Sequence, residues 1–176
     1  MTELNLDRME SPIGSLMLAW HGETLCALGF DDREERMTGA LQTRFGGVSL
    51  KAGRDSGHFR RCLDEYFAGD LAALERVSVD TGGTPFQQSV WRLLRQIPAG
   101  KTASYGELAA KLNSPGAARA VGLANALNPV AIVVPCHRVI GASGHLVGYG
   151  GGLDRKRWLL AHESGFSHMK AGAVSE

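Results

Sequence analysis

Ser104-Tyr105-Gly106-Glu107-Leu108-Ala109-Ala110-Lys111-Leu112-Asn113-Ser114-Pro115-Gly116-Ala117-Ala118-Arg119-Ala120-Val121-Gly122-Leu123-Ala124-Asn125-Ala126-Leu127 decides the fold class. Ser104 caps a helix over 105–112, with Glu107 at N3 completing a capping box. Asn113-Ser114-Pro115 breaks it, and a second helix is expected over 116–127. Helix, short turn, helix is the outline of a helix-turn-helix. The second helix is unusual, because of its polar side chains only Arg119 and Asn125 suit base edges. Its small residues, among them Ala118, Ala120 and Gly122, suit either of two arrangements. One is close approach to a narrow minor groove, with Arg119 as a wedge or as a replacement for an extruded base. The other is tight packing inside the protein, with Arg119 in a salt bridge.

Upstream, Thr84-Pro85 supplies an N-cap and an N1 proline for a helix running through Ile97. Phe86, Val90, Trp91, Leu94 and Ile97 form its apolar stripe. Downstream, Asn128-Pro129 leads into Val130-Ala131-Ile132-Val133-Val134, which reads as a buried strand. That run ends in Pro135-Cys136-His137-Arg138-Val139-Ile140. A cysteine next to a histidine and an arginine is a candidate nucleophile, because cationic or proton-accepting neighbours favour the thiolate. Adjacent side chains diverge, so a water is the expected relay between Cys136 and His137, with a third group orienting the imidazole. Leu153 to Ser164 reads as a helix ended by Gly165 at C′. Glu163 in its last turn opposes the macrodipole. It is either the group that orients His137 or an exposed glutamate on a frayed end. His162 has no evident partner.

The first half reads as a sheet with one or two helices. Residues 14–20 and 24–30 form a hairpin about His21-Gly22-Glu23, and 33–45 looks helical. Phe59, Cys62, Leu63, Tyr66 and Phe67 recur at helical spacing before Gly69. His58 and Cys62 share the i, i+4 spacing of a metal pair but lack companions, so a packed thiol is the simpler reading.

The chain has 176 residues, 44% hydrophobic and 21% charged, which excludes wholesale disorder and coiled-coil or collagen architecture. The first seven residues lack the pattern of a signal peptide, and no apolar run approaches the roughly 20 residues of a membrane span. Three widely spaced cysteines and no C-x-x-C point to a reducing, cytoplasmic setting without a cysteine zinc site. The net charge of +1 conceals a split. Residues 1–85 carry 9 basic and 14 acidic side chains, and residues 86–176 carry 10 and 4. A basic second half suits a polyanion, although chance variation in surface charge gives the same count.

Pro135-Cys136-His137-Arg138-Val139-Ile140 resembles the active-site motif of the O6-alkylguanine-DNA alkyltransferases, in particular the short bacterial constitutive type. The resemblance extends to Gly83-Thr84-Pro85-Phe86-Gln87, Ile97-Pro98-Ala99-Gly100, Ser104 to Ala109, Ala118 to Gly122, Asn128-Pro129 and Trp158 to Glu163, and so spans roughly residues 60 to 165. It implies an α+β protein. A small ribonuclease-H-like sheet domain would occupy 1–80, and a mainly helical, winged-helix-like domain with the helix-turn-helix would occupy 81–176.

The implied activity is DNA repair by suicide transfer, from O6-alkylguanine and also from O4-alkylthymine, onto Cys136. The base is flipped, one molecule serves one lesion, and neither cofactor nor metal takes part. By position, His137 is the base through water, Glu163 holds it, and Tyr105 assists extrusion and protonation of the leaving guanine. Asn128 fixes the turn that carries the cysteine. Arg119 fills the stack, with Ala118, Ala120 and Gly122 against the DNA. Val139, Tyr149, Gly150 and Lys156 belong to the base pocket. Some relatives have serine where this chain has Gly150, which leaves alkyl-size preference open. The implied partner is double-stranded DNA, bound through the minor groove largely without sequence readout, by a monomer for which cooperative assembly is an alternative. Two other classes compete: a lesion-binding protein without chemistry, and a thiol hydrolase needing an oxyanion hole.

Overall fold

The computed structural model describes residues 1–53 and 56–165. The chain divides into two compact units. Among the described residues, one is Met1–Gly83 with Pro129–Val133, and the other is Thr84–Asn128 with residues 134–165.

The first unit is a five-stranded sheet with a helix on each face. Its strands are β1 (Thr2–Met9), β2 (Leu16–His21), β3 (Thr24–Phe30), β4 (Val48–Ala52) and β5 (Ser78–Val79), in the order β4-β1-β2-β3-β5. The central pairs β1–β2 and β2–β3 are antiparallel; β4 and β5 add in parallel at the edges. Strand β1 was not anticipated. Its apolar Leu4 and Leu6 alternate with charged or polar residues, which is how a half-buried strand reads. Helix α1 (Glu34–Phe45) begins with acidic residues and ends at Gly46 with φ +63°, so both termini suit the macrodipole and the αL cap. Its Leu41 packs with Leu4, Ala19, Cys26, Ala27 and Val48. Helix α2 (Gly57–Phe67) buries Phe59, Cys62, Leu63, Tyr66 and Phe67, and Phe59 meets Trp20 at 5.9 Å between ring centroids. Where β4 ends, a Cβ on Gly53 would stand 2.6 Å from Asn5 Cβ and from the Trp20 ring, so only glycine fits.

Pro129–Ala131 completes this sheet. Leu28 donates its N–H to Pro129 O at 3.0 Å, and Ala131 donates to Leu28 O at 3.0 Å. The expected strand over 130–134 is therefore corrected: Val130 makes a single parallel bridge, and residues 131–134 form turns. Prolines at both ends remove ladder donors, and Ile132 takes φ +71°. The β-branched composition reflects burial, since Val130, Ile132, Val133 and Val134 are all inside.

The second unit is built on α3 (Pro85–Gln96), α4 (Tyr105–Lys111), α5 (Ala118–Ala126) and α6 (Leu153–Ser164), with the short parallel pair β6 (Ala103–Ser104) and β7 (Val139–Ile140). Capping boxes are present at Thr84/Gln87 and Ser104/Glu107. Asn113, with φ +57°, turns the chain between α4 and α5, and α5 starts at Ala118, two residues later than expected. Trp91 ties α3 to α5 by donating its indole N–H to Ala124 O at 2.8 Å. Among the described residues no helix is long and apolar enough to cross a membrane.

Candidate active site

Cys136 opens a short 3-10 turn, Cys136–Arg138, placed between Pro135 and β7. The turn is held from both sides. Cys136 donates its N–H to Val134 O at 2.8 Å, and Asn128 donates from Nδ2 to Val134 O at 2.7 Å. Asn125 in α5 reaches Cys136 O at 3.5 Å through its own Nδ2. Cys136 retains 7% exposure, whereas His137 retains none. The three cysteines are all thiols.

His137 Nε2 lies 2.7 Å from Glu163 Oε2. Glu163 is buried, so of the two arrangements open at the sequence level the structure has the inward one. Arg138 grips the same carboxylate from the other side, Nε to Oε1 at 2.8 Å and Nη2 to Oε2 at 2.9 Å, while Nη1 donates to Ile97 O at 2.6 Å. Burial alone would raise the Glu163 carboxyl. Hydrogen bonds and charge from His137 and Arg138 outweigh it and hold the group well below the usual carboxylate range. An ionised Glu163 accepts, so His137 donates from Nε2, leaving Nδ1 as the ring's lone-pair nitrogen. Nδ1 is buried and has no protein hydrogen-bond partner. Burial lowers the imidazole below its ordinary value, the contact with Glu163 opposes that, and the charges of Arg138 and Lys156 add to it. The end of α6 comes close because Gly100, at φ +85°, has no side chain: a Cβ there would stand 3.2 Å from Glu163 O.

A second group gathers at the 147–150 segment. Tyr105 donates to Val147 O at 3.3 Å, and Lys156 donates to Gly148 O at 3.1 Å and Val147 O at 3.5 Å. Lys156 is fully buried, which lowers its ammonium, while the Cys136 sulfur pulls the other way. Burial raises the phenols of Tyr105 and Tyr149, and Cys136 adds to both. The Tyr149 hydroxyl is turned away from solvent; Val139 is buried, and Gly150 is exposed.

On α5, Arg119 and Ala120 are exposed, and Ala118 and Gly122 are half-buried. A Cβ on Gly122 would make ordinary 3.7 Å contact with the Tyr105 ring, so internal packing does not demand the glycine. Leu123 is 62% exposed and Leu127 49%, on the same side of the helix as Ala120. His162 is buried and stacks on Trp158 at 4.8 Å. His58 Nδ1 lies 4.0 Å from Cys62 Sγ, and no group of three or more potential metal ligands occurs among the described residues.

Arg138 was noted in the sequence only as a neighbour of Cys136. A signal existed: the second half has four acidic residues, Glu107 is spent on a cap, and a buried arginine needs a carboxylate.

The fold and the turn define a helix-turn-helix protein with a candidate cysteine nucleophile backed by an imidazole–carboxylate pair. Comparison with known proteins narrows that class. Residues 85–165 match the family described as 6-O-methylguanine DNA methyltransferase, DNA binding domain, and residues 7–81 match 6-O-methylguanine DNA methyltransferase, ribonuclease-like domain. The chain is 45% identical over 166 residues to a methylated-DNA–protein-cysteine methyltransferase of Salmonella typhimurium, covering 93% of this chain and 97% of that one. To the protein of that name from Mycobacterium tuberculosis it is 51% identical over 158 residues, 88% and 89% of the two chains. Among solved structures, Mycobacterium tuberculosis OGT in complex with DNA superposes with TM-score 0.76 at 45% identity, covering 94% of both chains. The O6-methylguanine-DNA methyltransferase of Pyrococcus kodakaraensis follows at TM-score 0.68 and 27% identity, covering 91% of this chain and 98% of that one. The chain belongs to the 6-O-methylguanine DNA methyltransferase family, and its α+β layout of ribonuclease-like and DNA-binding domains is the one expected of it.

Proposed function

We propose that this protein repairs DNA by transferring the alkyl group of O6-alkylguanine to Cys136, once per molecule. The observation that carries the reading is the turn at 136–138. It sets a thiol beside an imidazole whose far nitrogen is committed to an ionised carboxylate, so that Nδ1 alone is left to take a proton.

The thiol proton passes through a water to His137 Nδ1. The thiolate attacks the alkyl carbon in line, the S–C bond forms, and the C–O6 bond breaks with its electron pair on the purine. Neutral guanine is a poor leaving group until a donor meets that charge; the Tyr105 hydroxyl fills this role by giving up its present bond to Val147 O. The thioether has no base left to expel, which makes the event single-turnover. O4-alkylthymine presents the same alkyl–oxygen bond and is a second substrate.

A base cannot be reached inside the stack, so the lesion is flipped out. Exposed Arg119 fills the gap, and the small residues Ala118, Ala120 and Gly122, of which Ala120 is exposed, let α5 approach the minor groove without base readout. Asn128 keeps the cysteine turn fixed through Val134 O. Val139, Tyr149, Gly150 and Lys156 line the base's site, and backbone carbonyls at Cys136 and Val139 accept from its amine. The protein acts as a monomer on double-stranded DNA, with residues 1–80 as its amino-terminal domain and 81–176 as its DNA-binding and transfer domain.

Intact mass after incubation with an O6-methylguanine duplex tests this. Wild type gains one methyl in place of one hydrogen, on the peptide containing Cys136, and Cys136→Ser gains nothing. An unmodified wild-type protein with the duplex methyl retained overturns transfer and leaves lesion binding alone.

A further inference from the structure

Arg138 is a buried arginine, 7% exposed. Three of its nitrogens are assigned: two to the carboxylate oxygens of Glu163 and one to Ile97 O, just past the end of α3. Both oxygens of Glu163 are therefore fixed in one plane by a forked donor, and that plane presents Oε2 to His137 Nε2. A lysine supplies charge at this point but not the fork.

We propose that Arg138 is a positioning residue for the alkyl transfer: by locking the Glu163 carboxylate against the end of α3, it fixes the His137 tautomer that leaves Nδ1 as the proton acceptor. The inference rests on the transfer reading above for its purpose, but its structural content can be tested without DNA. A carboxylate pairing with imidazole by itself favours the imidazolium, which cannot accept the thiol proton. Arg138 shares that carboxylate and places a positive charge beside the ring, so the pair stays a neutral donor on an anion. Other titratable or charged groups face the ring or its partners. Lys156 lies on α6 with Glu163, the Cys136 thiol lies on the ring's own turn, and the Tyr149 phenol faces Cys136 and Glu163. Of these, Arg138 alone touches both carboxylate oxygens.

The test uses full-length protein labelled with ¹⁵N-histidine, in which long-range proton–nitrogen spectra read which ring nitrogen carries hydrogen. In wild type, His137 holds hydrogen on Nε2 with Nδ1 bare at neutral pH. In Arg138→Met the ring becomes doubly protonated with a midpoint about one pH unit higher or more. Single-turnover methyl transfer then loses rate below that midpoint and recovers above it. In Arg138→Lys the charge remains but the fork is gone: Nδ1–H tautomer appears, and transfer slows roughly tenfold at all pH values.

A folded Arg138→Met whose ring titrates like wild type overturns the proposal. So does an Arg138→Lys with an undivided tautomer and wild-type rate, which decides the matter if the methionine variant fails to fold. Wild type that shows the expected tautomer yet never takes up methyl overturns the transfer reading while leaving the lock standing.

Discussion

The two units fill their interiors with different chemistry. In the sheet unit the inside is Leu4, the run Leu16 to Trp20, Leu25 to Leu28, Phe30, Phe59 and Tyr66, and Ser56 is the polar residue buried there. The helical unit buries Asn125, His137, Arg138, Lys156, His162 and Glu163. Apolar interiors stabilise through area and shape alone. Buried charges cost several kcal/mol each to desolvate, and their mutual attraction offsets this only with good geometry. A unit that buries them in the same helical layer as Cys136 has given up stability for control of charge there.

The contrast breaks most sharply at Glu163. Glu163→Gln strands the Arg138 guanidinium without a counter-charge, and loss of stability by about 3–5 kcal/mol is expected in denaturant titration. Because His137 also loses its anchor, single-turnover transfer should fall roughly hundredfold even where the variant is folded. Phe59→Ala is the control in the other unit. It should cost about 3–5 kcal/mol by the same titration, through a cavity beneath Trp20, and leave the pH dependence of transfer unchanged.

Acid should sharpen the difference further. His137 and Glu163 both titrate below their ordinary values of 6.5 and 4.5 in the folded protein. The unfolded chain therefore binds protons first, and stability contributed by the pair is complete above about pH 6.5. It is lost as pH falls, first through the histidine and then, below about 4.5, through the carboxylate. Melting curves of wild type and Glu163→Gln should converge at low pH, while Phe59→Ala keeps its offset. The smallest effect belongs to the surface: Arg119→Ala should weaken binding to lesion duplex about tenfold, with stability unchanged.

Legibility in the sequence depended on how local each signal was, in both units. The hairpin β2–β3, the N-cap at Thr84 and the capping box at Ser104 stood out because local signals, alternation and side-chain caps, determine them. Strand β1 was passed over since its Leu4 and Leu6 sit among charged residues, and β5 and β7, at two residues each, carry no pattern at all. The run 130–134 misled because burial and strand formation select the same β-branched residues. Cys136 and His137 were readable as neighbours. Their link to Glu163, 26 residues away from His137, was one of two arrangements that the residues left open and that the resemblance favoured, and the Arg138 fork was not read because no local rule distinguishes a buried arginine from a solvated one.

The stretch Pro129–Ala131 has a further consequence, for the order in which the molecule is made. Strand β3 is flanked at Thr24 and Leu25 by β5, but at Leu28 its outer N–H and C=O find partners only in a segment about a hundred residues downstream. A ribosome that has released residues 1–83 has delivered an incomplete seam, with backbone groups still open to another chain's strand. Until residue 131 emerges, the amino-terminal unit is unsealed. A fragment truncated at Gly83 should therefore be sticky in a way that the full-length polypeptide is not.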